Sequence, residues 1–346
     1  MDAQRTERQL SMIEEVCALG PEVWLRGGWA MDFWLGEITR EHEDVDWFAW
    51  AEDAERLREL LTARGYEVRH ADDQQLDLVR DGEEHSFAFV TRRRADGRVL
   101  VAGGPWAGTP WPAGILDGVE PGRLRGLECP VASPEAQIEI KRMMPVWVPE
   151  RPRREKDAVD VARLEAALAA LNATDETLVH EGDAFLNFGS YGPGDGWSHC
   201  FRWLDAKYFR LPAAPPGDTA LLAALISHEQ FRDDYAGSGV LPLGRRHGSF
   251  WRRLITPAAY EPITPDDAAH LLRTWADQYD PVPADLEADL RREVFARLTS
   301  ATTVHHLTGV GVDDFHDWGG VHGEFHELVL IDRVRGHLTL LVAADD

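Results

Sequence analysis

Lysine, cysteine and long apolar runs are scarce in this chain of 346 residues. Lysine occurs only at Lys141, Lys156 and Lys207, against 33 arginines. The three cysteines are far apart in the sequence, so we expect reduced core residues and neither a disulfide framework nor a zinc site. No run of about 18 apolar residues occurs, which predicts no membrane span. The acidic N-terminus has no apolar signal core, which predicts a cytoplasmic protein.

The charge of the chain is strongly one-sided. The formal net charge is −24, and both halves are acidic. An acidic surface repels nucleic-acid backbones and attracts cations. We therefore expect no nucleic-acid partner and favour a small cationic molecule, although acidity that serves only solubility explains the same charge.

The length of the chain and the change in its residue composition near residue 180 predict two domains, residues 1–172 and 180–346. The first reads as helix, strand, glycine turn, helix and strand, followed by several strands, which predicts an α/β (α+β) domain with a mixed sheet and flanking helices. A proline-rich and charged stretch, residues 145–155, predicts a connection or mobile loop. The second half begins with glycine and aromatic turns and continues with two or three helices and a closing hairpin. This pattern predicts a second α+β domain whose fold and function the sequence leaves unassigned.

The stretch RGGWAMDFWLGEITREHEDVD, residues 26–46, combines a glycine turn with paired acids. Asp44 and Asp46 are two residues apart on a predicted strand, so their side chains point to the same face. Neighbouring carboxylates repel unless a cation lies between them, and oxygen ligands suit Mg²⁺. Gly27 and Gly28 leave a strand and open a helix, where free backbone N–H groups bind phosphate. Nucleotidyl transfer requires this arrangement, a phosphate-binding turn beside two carboxylates that bind Mg²⁺.

The same stretch resembles the signature of the antibiotic nucleotidyltransferases of the DNA polymerase β-like superfamily, in particular the aminoglycoside 2″-O- and lincosamide groups. Weaker similarity continues through SPEAQIEIK, residues 133–141, and KDAVDVARL, residues 156–164, and ends near residue 172. Eleven positions of the signature match in register: Gly27, Gly28, Trp29, Ala30, Asp32, Gly36, Thr39, Arg40, His42, Asp44 and Asp46.

The resemblance implies a polymerase β-like mixed sheet with the nucleotide, ATP or another triphosphate, over Gly27 and Gly28. It implies that Asp44 and Asp46 hold Mg²⁺ as catalytic metal ligands. A hydroxyl of the antibiotic would then attack the α-phosphate in line and release pyrophosphate.

Basic residues complete the implied nucleotide site. Lys141 and Lys156 stand at the family's lysine positions, and either would face the triphosphate. Arg40 is a further candidate for nucleotide binding, but Arg40 and Asp32 would equally serve as structural residues.

One departure from the family concerns its third carboxylate, which lies on a later strand. The corresponding positions here hold His85, Ser86 and Phe87. Glu84 is the first candidate for the missing catalytic base, because it shares a strand face with Ser86. A bulge would turn Glu83 inward instead, and His85 is the remaining alternative.

These observations predict a magnesium- and ATP-dependent enzyme that modifies a small antibiotic. Two alternatives remain open: a degenerate binding or regulatory module without a base, and nucleotidylation of a macromolecule. The nucleotide preference, the antibiotic, its hydroxyl and the oligomeric state are not predicted. The second half also carries histidines in no defined zinc pattern, namely His305, His306, His316, His322 and His326.

Overall fold

The computed structural model describes residues 2–148, 154–192, 201–236, 239–240, 244–279, 281–316 and 318–345. The chain divides into two compact units, residues 1–170 and 171–346.

Helices and strands of the first unit follow the predicted order. They are α1 (Ala3–Cys17), β1 (Val23–Arg26), α2 (Gly27–Leu35), β2 (Asp44–Trp50), α3 (Ala54–Thr62), β3 (Glu67–Ala71), β4 (Gln75–Arg80), β5 (Glu83–Arg92), β6 (Val99–Val101), β7 (Gly122–Leu124), β8 (Leu127–Cys129), α4 (Pro134–Trp147) and α5 (Glu155–Asn172).

The sheet of this unit is mixed, as predicted. Its strands run β1-β2-β5-β4-β3, and β6 pairs with the other part of β5. β2 and β5 are parallel, whereas the remaining pairs are antiparallel. This order brings β1, β2, β5 and β4 side by side, so polar residues on four strands can meet on one face.

The first helices form where their sequence provides caps and apolar faces. The Asp2 side chain accepts hydrogen bonds from the first turn of α1, which satisfies N–H groups that have no partner within the helix. α2 is apolar on nearly all sides and is buried from Trp29 to Trp34. It ends at Gly36, whose left-handed backbone closes the last turn. α2 is therefore a core element that carries its N-terminus to the sheet.

Two of the cysteines expected in the core lie side by side. The Cys17 and Cys129 Sγ atoms are 2.7 Å apart, and both thiols are free. Burial raises the pKa of the Cys129 thiol. The third, Cys200, lies outside the described residues.

The second unit is α+β, as predicted. Its elements are β9 (Val179–Asn187), β10 (Arg202–Arg210), α6 (Asp218–Ser227), β11 (Arg246–His247), β12 (Phe250–Trp251), β13 (Tyr260–Ile263), α7 (Pro265–Ala276), α8 (Ala284–Leu290), which continues through a π-helical turn (Arg291–Phe295) into α9 (Ala296–Ser300), β14 (Thr303–Leu307), β15 (Phe325–Asp332) and β16 (His337–Asp345).

Six strands of this unit form one antiparallel sheet in the order β13-β14-β15-β16-β10-β9. The predicted closing hairpin is β15-β16, and its buried residues belong to two cores that cover the two faces of the sheet. Helices α7, α8 and α9 pack on one face through residues such as Leu272 and Leu290.

The predicted connection over residues 145–155 is wrong at its first residues. α4 continues to Trp147 and contains Pro145, which has no N–H group and so removes one hydrogen bond from the last turn of the helix. Residues 149–153 lie outside the described residues, and α5 begins at Glu155. In the described residues, no helix is long and apolar enough to cross a membrane.

We expect the second half to fold as a separate domain, because each unit has its own hydrophobic core. Limited proteolysis should cut within residues 172–182 or 145–155 and leave compact fragments, identified by mass spectrometry. One resistant core with no cut in either stretch would contradict the boundary.

Candidate active site

Asp44 and Asp46 begin β2 and point to the same open face of the sheet, with buried Val45 between them on the other face. Arg26 pairs with Asp46 in register and donates from Nη2 to its Oδ1 over 3.3 Å. Asp44 keeps contact with solvent, yet the protein atoms around it, and then the charge of Asp46, raise the pKa of its carboxyl. Two neighbouring carboxylates on one open face are suited to bind a cation.

The glycine turn lies directly against this pair. Gly27 has a left-handed φ of 70° and begins α2. A Cβ atom on Gly27 would lie 2.7 Å from Asp46 Oδ2, and one on Gly28 would lie 2.3 Å from His42 Nδ1. Both glycines are therefore required by close approach, and α2, whose first N–H groups have no partner within the helix, begins directly against Asp46.

A buried network beneath the turn fixes its position. Asp32 is fully buried on α2 and accepts hydrogen bonds from Thr39 Oγ1 over 2.6 Å and from Thr39 N over 3.2 Å. His42 Nε2 lies 2.6 Å from Asp32 Oδ2. His42 is thus a buried hydrogen-bonding residue, and Asp32 serves the structure of the loop between α2 and β2.

Two of the predicted nucleotide-binding cations lie in ion pairs. Lys141 Nζ is 2.8 Å from Asp160 Oδ2 and 3.7 Å from Asp157 Oδ1. Arg40 Nη2 is 3.1 Å from the same Asp160 oxygen. Burial alone would raise the pKa of Asp160, but the hydrogen bonds from Arg40 and Lys141 outweigh it and lower that pKa. In this structure Lys141 therefore links α4 to α5, and Arg40 links the loop before β2 to α5.

Lys156 and Arg154 lie nearer to the β2 carboxylates. Lys156 Nζ is 3.2 Å from Glu43 Oε2, and its charge acts on neighbouring Asp44. A hydrogen bond with Asp157, together with the attraction of both β2 carboxylates, raises the pKa of Arg154. Arg154 was missed by the sequence analysis because its arginine-rich stretch gives no pattern that singles out one residue.

Two of the three candidates for the base lie on the wrong face of β5. Glu83 is buried and accepts hydrogen bonds from Arg5, Arg8 and Gln9 of α1. His85 is fully buried, where burial lowers its pKa to about 4. No bulge turns Glu83 inward, so the alternatives based on Glu83 and His85 are wrong.

Glu84 lies on the same face as the β2 carboxylates. In the parallel register of β2 and β5, Asp44 pairs with Glu84 and Asp46 pairs with Ser86. The predicted sharing of a face by Glu84 and Ser86 is therefore confirmed. Glu84 is exposed, and Ser86 is half-buried.

A further carboxylate on this face comes from β4 and was missed. Asp77 pairs with Ser86 in register, and its Oδ1 accepts a hydrogen bond from Ser86 Oγ over 2.7 Å. Gln75 Nε2 donates to both oxygens of Asp77, over 2.7 and 2.9 Å. Arg26, Asp46, Ser86 and Asp77 thus form a row across four strands.

The sequence held a signal for this row. Asp81 and Gly82 form the two-residue turn between β4 and β5, both with left-handed φ, 51° and 81°. An Asp-Gly pair between two strand patterns indicates such a hairpin. Counting outward from that turn pairs Asp77 with Ser86.

The histidine-rich second half contains no metal cluster among its described residues. No group of three or more His, Cys, Asp and Glu side chains there is placed to hold an ion. His316 Nε2 and His322 Nε2 instead lie 2.8 and 3.2 Å from backbone carbonyl oxygens.

A mixed sheet, two carboxylates on one strand and a glycine turn against them are the features of the first unit on which the resemblance to nucleotidyltransferases rests. Residues 10–164 match the family model described as aminoglycoside-2''-adenylyltransferase. The match confirms the resemblance to the antibiotic nucleotidyltransferases for the first unit, and it does not extend to the second.

Curated relatives match over a shorter stretch. 2''-Aminoglycoside nucleotidyltransferases of Klebsiella pneumoniae and Escherichia coli are each 40% identical over 42 residues, which is 11% of this chain and 24% of each relative. The chain thus covers about a quarter of the length of the curated relatives that it matches.

Solved structures give weaker likenesses. The antibiotic-resistance factor ANT(2'')-Ia is 21% identical, with 47% of this chain and 85% of that chain covered and a TM-score of 0.40. The lincomycin-bound lincosamide antibiotic adenylyltransferase LnuA is 20% identical, with 48% and 98% covered and a TM-score of 0.37.

Substitution of Gly27 tests the close approach to Asp46. Gly27→Ala should strain a left-handed backbone by about 1–2 kcal/mol and displace the Asp46 carboxylate. The matched control is Gly126→Ala, because Gly126 has φ of 83° and its added Cβ would meet nothing within 4 Å. Urea unfolding should show a similar loss of stability in both variants. Calorimetry with Mg·ATP should show weaker binding, by about tenfold or more, only for Gly27→Ala; equal affinities would contradict the contact.

The raised pKa of Asp44 has a consequence for stability. Folding raises that pKa. Ionised Asp44 therefore lowers the free energy of unfolding at pH values above the pKa of the folded protein. This destabilisation disappears as the pH falls through that pKa, because the carboxyl becomes neutral. Asp44→Asn should therefore raise the melting temperature of the metal-free protein near neutral pH and lose this advantage in acid. Asp81→Asn, at an exposed turn, is the control. A lower melting temperature for Asp44→Asn at neutral pH would refute the assignment.

Proposed function

We propose that the first unit is a magnesium-dependent nucleotidyltransferase that moves a nucleoside monophosphate, AMP from ATP, to a hydroxyl of a small cationic antibiotic and so confers resistance. The observation that carries this proposal is the close approach of the glycine turn to Asp46, which shares a face of β2 with Asp44. It brings a site for phosphate and a site for a cation into one small region.

The chemistry of the donor set fits Mg²⁺. Asp44 and Asp46 offer carboxylate oxygens on one face, and their mutual repulsion is relieved by a bound cation. Mg²⁺ held by these residues would neutralise charge on the phosphates.

The chain's own residues would bind and orient the nucleotide. Backbone N–H groups of Gly27 and Gly28 would donate hydrogen bonds to phosphate oxygens at the start of α2. Lys156 and Arg154, which interact with the β2 carboxylates, would turn to the triphosphate once a metal occupies that pair. Transfer then depends mainly on holding the hydroxyl in line with the α-phosphate.

Arg40 and Lys141 have a supporting role in this proposal. Their shared partner Asp160 is almost fully buried, so a direct nucleotide contact would require breaking a buried ion pair, which is costly. Direct contact by either residue stays a prediction from the family resemblance.

Charge and family together support a cationic antibiotic as the acceptor. The net charge of −24 attracts polycations, and the matching family model and relatives are named for aminoglycosides. Lincosamides are the second class to test. The reaction would use cytoplasmic ATP, and the acidity argues against tRNA as acceptor.

Pyrophosphate release from ATP, measured with a panel of aminoglycosides and lincosamides, tests the proposal. We expect release with at least one antibiotic, dependence on Mg²⁺, and a product heavier by one nucleoside monophosphate in mass spectrometry. Nucleotide binding without transfer to any small molecule would favour the degenerate binding module. Labelling of a cellular macromolecule would favour nucleotidylation of a macromolecule.

The matching loss-of-function test uses Asp44→Asn and Asp46→Asn. Each should abolish Mg²⁺-dependent ATP binding in calorimetry while the circular dichroism spectrum is unchanged, because an amide oxygen is a weaker ligand for a hard cation. Asp81→Asn is again the control. Wild-type affinity in both site variants would refute the metal site.

A further inference from the structure

An attacking hydroxyl must lose its proton, and the row across the sheet holds groups suited to take it. On this face, Ser86 of β5 lies next to Asp46 of β2, and Asp77 of β4 lies next to Ser86. Adjacent strands are about 4.8 Å apart, so Asp77 is two strands from the metal pair. Its carboxylate nevertheless reaches back to Ser86 Oγ, at 2.7 Å.

The hydrogen bonds of Ser86 leave one position free for a ligand. A serine hydroxyl has one proton to donate and two lone pairs to accept with. Ser86 donates its proton to Asp77 Oδ1 and accepts from Gln75 Nε2 over 3.2 Å. Among the described residues no donor reaches the other lone pair of Ser86, which lies on the half-buried face that also carries Asp46.

Gln75 fixes the orientation of the pair. Its amide donates to both oxygens of Asp77 and to Ser86 Oγ, so the serine proton is directed to the carboxylate and the free lone pair outward. Besides Gln75 and Ser86, the groups that face Asp77 are its register partner His70 on β3 and Glu84 further along β5.

Resting on the proposed function, we infer that Asp77, acting through Ser86, accepts the proton of the attacking hydroxyl. The acceptor hydroxyl donates to Ser86 Oγ. As its oxygen forms a bond to the α-phosphorus, its proton passes to Ser86 Oγ, and the proton of Ser86 passes to Asp77 Oδ1. The bond between the α-phosphorus and the bridging oxygen breaks, and pyrophosphate leaves with that electron pair.

Glu84 is the competing acceptor, and its setting is less favourable. It lies opposite Asp44 with an exposed side chain. No hydrogen bond to it occurs among the described residues, so holding it at the hydroxyl would cost side-chain entropy. The Ser86–Asp77 pair is already fixed by the Gln75 amide, whose two protons are shared among three oxygens of the pair, and by one hydrogen bond within the pair.

The test compares Asp77→Asn with Asp81→Asn, the same chemical change in the turn at the end of β4. Asp77→Asn should lower kcat by about 10²–10⁴-fold with little change in KM or in Mg·ATP affinity by calorimetry, as for a lost proton acceptor. Its residual rate should rise with pH as hydroxide replaces the carboxylate. Asp81→Asn should match wild type, and Glu84→Gln should lower kcat less than Asp77→Asn.

A rescue variant separates proton transfer from a merely structural role. Asp77→Asn combined with Ser86→Asp puts a carboxylate on the strand beside Asp46 and should recover at least about tenfold of the lost kcat. Two results would overturn the inference while leaving the proposed function intact. One is a folded double variant that recovers no kcat, and the other is a wild-type kcat for Asp77→Asn alone. A larger loss for Glu84→Gln than for Asp77→Asn would assign the proton to Glu84 instead. Absence of any transfer by the wild type would refute the proposed function, and the inference with it.

Discussion

The site depends on the close contact between the first residue of α2 and the carboxylate of Asp46. Gly27 has no side chain, and a Cβ in its place would lie 2.7 Å from Asp46 Oδ2. The contact brings the N–H groups of a helix start, which favour anions, next to carboxylates, which favour cations. Mg²⁺ together with a triphosphate satisfies both demands, whereas neither ion alone does.

The buried network below α2 holds this contact in place, as the proposed function would require. Asp32, His42 and Thr39 join the helix to the loop before β2 through hydrogen bonds as short as 2.6 Å. Gly28 leaves room for the His42 ring at a distance that no other residue type allows. The positions that match the family signature thus divide into a few that face the ligand and more that hold those few in place.

Local pattern predicted the shared face of Asp44 and Asp46, the glycine turn and the mixed sheet, because each depends on residues close together in the sequence. The side-chain partners across strands were harder to predict. Glu83 is captured by Arg5 and Arg8 of a distant helix, which no spacing rule indicates. Asp77 was predictable in principle, since the turn at Asp81 and Gly82 fixes its partner as Ser86. The fold of the second unit was not predictable, because its sheet pairs strands separated by more than one hundred residues.

The most direct test of the account is a crystal structure of the full chain with Mg²⁺ and a non-hydrolysable ATP analogue. We expect a metal ion bound by Asp44 and Asp46, the triphosphate at the N–H groups of Gly27 and Gly28, and the α-phosphate on the side of Ser86. A nucleotide bound elsewhere, or bound at the glycine turn with no metal at the two carboxylates, would contradict the account.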